Sequence, residues 1–382
     1  MAFSPLPPAY CTNVHPCRAP VDVPLMLDRH VLAVRDHCGF AISVGLWLPE
    51  AAVAAPGAAA TVAEALAARG LSCHTLNAFP FGDFHGARVK EQVYLPDWAD
   101  PRRLDYTLAC ARLLAALLPP GGEGSISTLP LGFKGFEHGA DFTAAASDAL
   151  LACARQLAAV EADTGRCIRL AIEPEPCCLL ETTPETVAFF AALFARAAAL
   201  GIEPAARRHL GVCYDVCHQA VEFEDAAEAV AAIAAAGIRI NKVQVSCAIE
   251  VPDPADPAQR EAIAAYVEPR YLHQTFARDA RGDLHHAVDL TADLLADAAW
   301  HTRAPWRVHY HVPVDADRLG PLRTTRGELA RALTAIGGLD YAPHLEVETY
   351  TWPVLPGADA TDLATGIARE LIATRALIET VG

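Results

Sequence analysis

Short runs rich in β-forming residues alternate with longer alanine-rich runs along the chain, and this alternation restricts the fold more than any other feature. The eight short runs cover residues 40–48, 71–79, 124–131, 168–174, 210–216, 240–246, 307–313 and 344–350. Between them, apolar residues recur at helical spacing and Gly or Pro ends the run. This pattern predicts helices over 102–118, 142–163, 185–200 and 223–236.

Repeated strand–helix–strand units with continuously apolar strands form a parallel sheet that helices cover. Eight such units favour closure into a (β/α)₈ TIM barrel, an α/β fold. An open doubly wound sheet is the alternative, but no GxGxxG motif follows an early strand. We therefore expect the barrel.

Two further β-like runs, at residues 9–14 and 270–276, disturb the strand count. Either 9–14 is the first barrel strand and one later run belongs to an insertion, or 9–14 is an extra strand at the foot of the barrel. Residues 247–306 are rich in Asp, Pro and Arg and are typical of an excursion between barrel elements. We expect a single TIM-barrel domain over 1–382, with this insertion before the last strands.

Charge and composition exclude several classes of partner. The net charge is −16, with 46 acidic and 30 basic residues, so contacts to the phosphates of a nucleic acid are not expected. Charged residues or Gly interrupt every apolar run, so no integral membrane segment is predicted. The first residues lack a basic start and an apolar core, which predicts a cytoplasmic protein. The 12 cysteines form no CxxC pair, so a metal would need other ligands.

Polar residues recur with the same strand parity near the ends of five predicted strands. Side chains two residues apart share one face of a strand, and TIM-barrel active sites form at the carboxyl ends of the strands. The residues are Glu173 and Glu175, Asp215 with His218 just beyond it, Gln244 and Ser246, His309 and His311, and Glu346 and Glu348. A single buried carboxylate usually makes a structural hydrogen bond, but several in one cavity repel each other unless a cation lies among them. Carboxylates with neutral imidazoles form the mixed ligand set of zinc, manganese or iron(II).

Other polar residues near strand ends are candidates for substrate contact. Asn77 ends a strand, and His85 follows in a glycine-bracketed loop that could reach over the mouth of the barrel. Lys134 lies between glycines in a loop and could meet an anionic group, although a solvated loop charge is the more common role. Gln244 completes this group of candidate substrate ligands. Cys213 and Cys217 flank Asp215 and are interpreted as packing residues, because nothing nearby would stabilise a thiolate.

The run GVCYDVCHQ at 211–219, the Glu at the end of the preceding strand and the Glu-Thr pair of the last strand resemble the xylose isomerase-like barrel superfamily. That superfamily includes sugar isomerases and epimerases and the endonuclease IV repair enzymes. The resemblance implies one or more divalent metal ions, such as manganese, zinc, iron or magnesium, and carries the ligand roles to this chain. The implied ligands are Glu173, Asp215, His218 and Glu348, with His309 and His311 as further ligands. One position departs from the pattern, because Gln244 stands where a histidine is expected.

A longer series of motifs, among them YCTNVHP, FPFGDFHG and HLEVETYTW, resembles the EboE family of barrel proteins from metabolite-traffic gene clusters. This resemblance implies a small-molecule metabolite as ligand and partner proteins from the same cluster. The leading hypothesis is a metal-dependent isomerase or epimerase in which Glu173 and Glu348 also move protons. The alternatives are a non-catalytic metabolite-binding barrel and an endonuclease IV-like phosphoesterase, which the net charge disfavours.

Overall fold

The computed structural model describes residues 3–357 and 362–381. Eight strands within these residues pair in parallel and close into a barrel, in the spatial order β1-β14-β7-β6-β5-β4-β3-β2. They are β1 Ala9–Cys11, β2 Ser43–Leu46, β3 Ser72–Asn77, β4 Glu123–Thr128, β5 Cys167–Ile172, β6 Leu210–Asp215, β7 Ile240–Val245 and β14 His344–Val347. The predicted parallel (β/α)₈ barrel is therefore confirmed.

A second sheet of six antiparallel strands is formed between β7 and β14, in the order β10-β9-β11-β8-β13-β12. Its strands are β8 Ile249–Val251, β9 Thr275–Arg278, β10 Leu284–Ala287, β11 Trp306–Val308, β12 Arg318–Leu319 and β13 Leu322–Thr324. The predicted excursion over 247–306 therefore contributes three of these strands, and the sheet continues beyond it.

Strand pairing in the barrel and in the second sheet decides two of the sequence-based strand assignments. The run at 9–14 provides the first barrel strand, β1, which pairs with both β2 and β14. The prediction of a barrel strand at 307–313 was wrong, because β11 pairs antiparallel with β8 and β9 in the second sheet. A short apolar run has the same composition in a buried antiparallel strand as in a parallel barrel strand, so the pattern alone could not distinguish them.

Helices follow most barrel strands and cover the outside of the barrel. They are α1 Val23–Met26, α2 Leu32–Cys38, α3 Glu50–Val53, α4 Ala58–Ala67, α5 Pro101–Leu117, α6 Phe142–Thr164, α7 Thr183–Ala199, α8 Glu203–His209, α9 Val216–Val221, α10 Ala226–Ala235, α11 Pro257–Ala264, α12 Ala292–Ala296, α13 Ala298–His301, α14 Arg326–Gly337 and α15 Leu363–Val381. A π-helical turn, Leu27–Val31, joins α1 to α2. In the described part of the chain, no helix is both long and apolar enough to cross a membrane.

Local sequence signals fix where the long helices begin. Asp100 caps α5 by accepting a hydrogen bond from the Arg102 amide, and Pro101 occupies the first helical position. Thr182 and Glu185 form a capping box at the start of α7. The four helices predicted from periodicity correspond to α5, α6, α7 and α10, with ends that differ by a few residues.

The interior of the barrel contains a buried ion pair below the mouth. Lys242 Nζ lies 2.6 Å from Glu346 Oε2, and neither side chain is exposed. Lys242 also donates to Leu76 O and Ser127 Oγ, both at 3.2 Å. Gly45 faces this pair, since a Cβ added there would lie 1.7 Å from Glu346 Oε1. The interior of the barrel therefore contains a buried pair of opposite charges below the mouth.

Candidate active site

The turn from β6 into α9 positions two of the candidate ligands. Asp215 is the last residue of β6 and also the N-cap of α9, where its Oδ1 accepts from the His218 amide at 3.1 Å. Ser246 Oγ donates to the same Oδ1 at 2.7 Å. Because these bonds occupy Oδ1, Oδ2 is left for another partner, and it has none although it is buried. A strand that ends in an N-capping aspartate therefore places both Asp215 and His218 at the mouth.

Three histidines present the same ring nitrogen to the mouth. Nδ1 of His218 contacts Pro174 O at 2.9 Å, and Nδ1 of His311 contacts Glu348 O at 2.7 Å. Nδ1 of His309 lies 2.7 Å from the Gln274 side-chain oxygen. Carbonyl oxygens only accept, so each Nδ1 carries the proton and each Nε2 keeps a lone pair. This is how imidazole ligands of protein metal sites are commonly oriented.

The ligand atoms lie close together in overlapping sets. Groups whose donor atoms are within 4.8 Å of one another are Glu173, Asp215 and Glu348; Asp215, His218 and His311; and Glu175, His218 and His309. Several of these atoms are buried without a hydrogen-bond partner, namely Glu173 Oε2, Glu175 Oε2, Asp215 Oδ2, His309 Nε2 and His311 Nε2. Buried acceptors that face each other without donors are costly, and a divalent cation would satisfy them together. The donor set therefore fits a metal ion.

Burial raises the pKa values of these glutamate carboxyl groups and lowers those of the imidazoles. Burial and the charges of Glu348 and Asp215 raise the pKa of Glu173 well above its usual value. Burial, followed by the charges of Asp215 and Glu346, raises the pKa of Glu348 as well. Burial lowers the pKa of His218 to about 4, which keeps its imidazole neutral. Without a cation the carboxyl groups are pushed towards their protonated forms, and a bound metal ion would reverse that effect.

Two asparagine side chains orient Glu348. Asn13 Nδ2 donates to Glu348 Oε1 at 2.8 Å, and Asn77 Nδ2 donates to the same oxygen at 2.7 Å. Asn13 follows β1 and Asn77 ends β3, so the two amides come from barrel strands that are separated by β2 alone. With Oε1 held by both amides, Glu348 Oε2 is the oxygen that remains for a ligand. Asn77 therefore contacts Glu348 in the mouth.

A second network orients Glu175 and His309. The Tyr94 hydroxyl donates to Glu175 Oε1 at 2.7 Å, and Gln274 Nε2 donates to the same hydroxyl oxygen at 3.0 Å. Gln274 also holds His309 Nδ1 through its side-chain oxygen. Burial raises the pKa of Glu175 to about 8. Glu175 therefore belongs to the site, and its parity with Glu173 in EPEP was the sequence signal for it.

Aromatic side chains form the walls of a cavity of about 60 Å³ above these groups. The lining residues include Phe79, Phe84, Tyr94, Tyr271 and Tyr350. Lys90 is the only lysine or arginine among the described lining residues. Its Nζ donates to two backbone carbonyls and to Asp289 Oδ2, the last at 2.6 Å. No unpaired lysine or arginine therefore faces this cavity from the described residues.

The structure places three of the predicted substrate-binding residues outside this cavity lining. His85 lies at the rim against Trp47, and its Nε2 contacts Asn13 O at 2.8 Å. Lys134 is partly exposed and forms ion pairs with Glu181 and Glu185. Gln244 is fully buried beside Asp215 in register, and neither of its amide atoms has a hydrogen-bond partner. These three residues are not brought together with one another.

The two cysteines of the β6 motif are buried. Burial raises the pKa values of the Cys213 and Cys217 thiols, so both favour the protonated, unreactive form. Cys217 Sγ does lie within 4.8 Å of the ring nitrogens of His309 and His311. Sequence reasoning missed Asn13, Tyr94 and Gln274, which reach the site from two short 3₁₀ helices and from the residue before β9, without any periodic pattern.

Comparison with known proteins supports the fold. No protein-family model and no curated protein matches the chain. A xylose isomerase-like TIM-barrel protein from Mycobacterium smegmatis, solved in complex with magnesium, aligns over 100% of both chains with a TM-score of 0.55 and 12% identity. An L-ribulose 3-epimerase aligns over 100% of this chain and 96% of its own, with a TM-score of 0.51 and 14% identity. The chain has the xylose isomerase-like TIM-barrel fold.

Proposed function

We propose that this protein is a metal-dependent isomerase or epimerase of a small, sugar-like metabolite. The observation that carries the proposal is the convergence of three imidazole Nε2 atoms and unpaired carboxylate oxygens on one cavity. The described neighbours of the same fold support it, since one is an L-ribulose 3-epimerase and another was solved with magnesium.

The ion would be held by the carboxylates and imidazoles of the mouth, with Asp215 and His218 shared between overlapping ligand sets. A divalent ion there would polarise substrate oxygens and stabilise negative charge that develops on them. Gln244 offers an amide oxygen where the resemblance leads us to expect an imidazole. It is therefore a weaker ligand for the proposed ion, and because it lies outside the cavity lining its contact with substrate stays a prediction from the sequence.

Glu173 and Glu348 are the groups that move protons in this proposal. Both are buried, and in the absence of a cation burial and the neighbouring carboxylates raise the pKa of each above its usual value, so each accepts a proton more readily than an exposed carboxylate. Asn13 and Asn77 fix Glu348 through one oxygen, so the other oxygen has a defined position. An isomerase needs such a fixed base beside the carbon that loses its proton.

The lining favours an uncharged substrate. Carboxylates dominate the floor, and Lys90, the one lysine of the described residues that reaches the cavity, has its Nζ hydrogens engaged by Glu268 O, Tyr271 O and Asp289. A phosphate group would meet negative charge without a free cation of the protein. Aromatic walls suit the apolar faces of a sugar ring or chain.

Proton exchange with solvent tests the reaction. Protein stripped with a chelator and reloaded with Mn²⁺ is incubated in D₂O with a panel of unphosphorylated ketoses, and NMR follows loss of the proton next to the carbonyl. We expect exchange that depends on the metal ion and falls at least about a hundredfold in Glu173→Gln and Glu348→Gln. Glu64→Gln, which alters an exposed residue of α4, is the matched control. Metal binding without any exchange across the panel would favour the non-catalytic metabolite carrier.

A phosphoesterase is the second candidate, and the ligand set of Glu175, His218 and His309 favours it. This set shares no residue with the one formed by Glu173, Asp215 and Glu348, so the described residues offer ligands for more than one ion. Two-metal sites of this kind hydrolyse phosphate esters. Cleavage of abasic-site DNA or of a small phosphodiester, without proton exchange in ketoses, would select this function.

We also place the reaction in a metabolite-traffic pathway of the cytoplasm, with partner proteins from the same gene cluster. The motif series that resembles EboE supports this placement. Purification of the tagged protein from its native cell, followed by mass spectrometry, tests it. A co-purifying small molecule and cluster-encoded proteins are expected.

A further inference from the structure

A second group of potential ligands lies at the opposite end of the barrel from the mouth. Glu161 is near the end of α6, Cys167 begins β5, and His209 ends α8 just before β6. Their ligand atoms lie within 4.8 Å of one another. The length of a six-residue strand separates them from the mouth, about 16 Å at the usual rise.

The His209 ring is oriented with an unused lone pair. Nδ1 lies 2.7 Å from Ile168 O, which can only accept, so Nδ1 carries the hydrogen. Nε2 is buried and has no hydrogen-bond partner. Its neighbour at 3.4 Å is Glu161 Oε2, which is also an acceptor. Burial lowers the pKa of His209, which favours the neutral ring.

These three residues supply one nitrogen, one sulfur and one oxygen donor. Zinc-class transition metals accept this mixed set in tetrahedral sites, and the fourth position is open to water. The existing ion pair of Glu161 does not supply a cation to all three of these donors. Arg208 holds Glu161, with Nε 2.6 Å from Oε2, but it leaves the imidazole lone pair and the thiol without a cation.

We propose that Glu161, Cys167 and His209 bind one zinc-class transition-metal ion. Binding displaces the Cys167 thiol proton to solvent and forms metal–sulfur, metal–nitrogen and metal–oxygen bonds. Arg208 is the competing cation, and its side chain is half exposed, so water can hydrate the guanidinium when it releases one carboxylate oxygen. The ion joins α6, β5 and α8 at the foot of the barrel. The site is independent of the proposed reaction at the mouth.

Cobalt titration of the metal-free, full-length protein tests the site, because a cobalt–thiolate bond gives a charge-transfer band in the near ultraviolet. We expect the band in the wild type and its loss in Cys167→Ser. In His209→Gln and in Glu161→Gln, Co²⁺ affinity at this site should fall by roughly a hundredfold. Circular dichroism establishes that each variant is folded, and Glu161→Gln, which alters a partly exposed helix residue, serves if His209→Gln does not fold.

Two further variants separate this site from its alternatives. Cys217→Ser, next to the mouth histidines, should keep the band, and so should Cys153→Ser on α6. Arg208→Gln removes the competing cation and should tighten Co²⁺ binding roughly tenfold. The proposal is overturned if the wild type gives no thiolate band, if the band disappears in Cys217→Ser but not in Cys167→Ser, or if Arg208→Gln leaves the affinity unchanged or lowers it.

Discussion

Replacing Asp215 with asparagine should make the metal-free protein more stable while it removes metal binding. The Asp215 Oδ1 atom accepts from the His218 amide and from Ser246 Oγ, and an asparagine oxygen can keep both bonds. Oδ2 has no partner and lies 3.8 Å from Nε2 of both His218 and His311. An amide NH₂ at that place would offer one hydrogen to each imidazole lone pair after a small shift.

The expected gain in stability follows from the two imidazole nitrogens, of His218 and His311, that would gain a hydrogen-bond donor. Each newly formed buried hydrogen bond contributes about 1 kcal/mol, so we expect the metal-free variant to be about 1–2 kcal/mol more stable than the metal-free wild type. Adding metal should make the wild type more stable than Asp215→Asn. A ligand at about a thousand times its dissociation constant stabilises the state that binds it by about 4 kcal/mol, and only the wild type should gain this.

Urea unfolding measures both effects, with chelator-treated protein and with protein reloaded with Mn²⁺ or Zn²⁺. Asp225→Asn is the matched control, because Asp225 also caps a helix, α10, through the Ala227 and Glu228 amides but lies outside the mouth. Asparagine and aspartate are nearly equal as N-caps, so the control should change stability by only a few tenths of a kcal/mol. The reasoning is refuted if metal-free Asp215→Asn is less stable than the wild type, or if metal still stabilises it fully.

Three other substitutions test the buried charges. Lys242→Met leaves Glu346 without its cation and should lower the free energy of unfolding by about 3–5 kcal/mol in urea titrations, and adding Glu346→Gln should recover most of this loss. Gly45→Ala places a Cβ 1.7 Å from Glu346 Oε1 and should cost at least about 2 kcal/mol by the same measurement, whereas Gly139→Ala, with no atom within 4 Å, should be nearly neutral. Burial raises the pKa of Glu370 to about 7 from 4.5, so between these pH values the folded protein binds one proton more than the unfolded chain. The contribution of Glu370 to the free energy of unfolding therefore falls as the pH rises through this range to 7. When the pH is lowered from 7.5 to 4.5, the free energy of unfolding of the wild type should therefore rise by about 3 kcal/mol more than that of Glu370→Gln. Equal pH dependence in both proteins would contradict this.

Strand parity predicted much of the barrel and the position of its polar mouth. Glu173, Asp215 and Glu348 were selected because each follows or ends an apolar strand, and the carboxyl ends of parallel strands meet at one rim. The structure brings their oxygens within 4.8 Å of one another. This success depends on local information, since a period of two residues fixes the side of a strand on which each side chain lies.

The second sheet could not be predicted in the same way. His309 and His311 were selected as part of a barrel strand, but they follow β11 of the antiparallel sheet and still reach the mouth. Pairing between β8, β9 and β11 depends on contacts between residues far apart in the chain, which leave no pattern in any single run. For the same reason, the hydrogen bond from Asn13 to Glu348 left no local signal.

The candidate ligands come from two parts of the chain, and this origin would influence which ion the proposed metal site prefers. The barrel strands supply mainly carboxylates, which are hard oxygen donors that suit magnesium or manganese, whereas the segment between β7 and β14 supplies His309 and His311. Imidazole nitrogens shift preference towards zinc, iron(II) and other later metals. If the proposed ion binds, the barrel and the inserted segment would each contribute to its selection, and changes confined to the segment would alter metal preference without changing the eight-stranded scaffold.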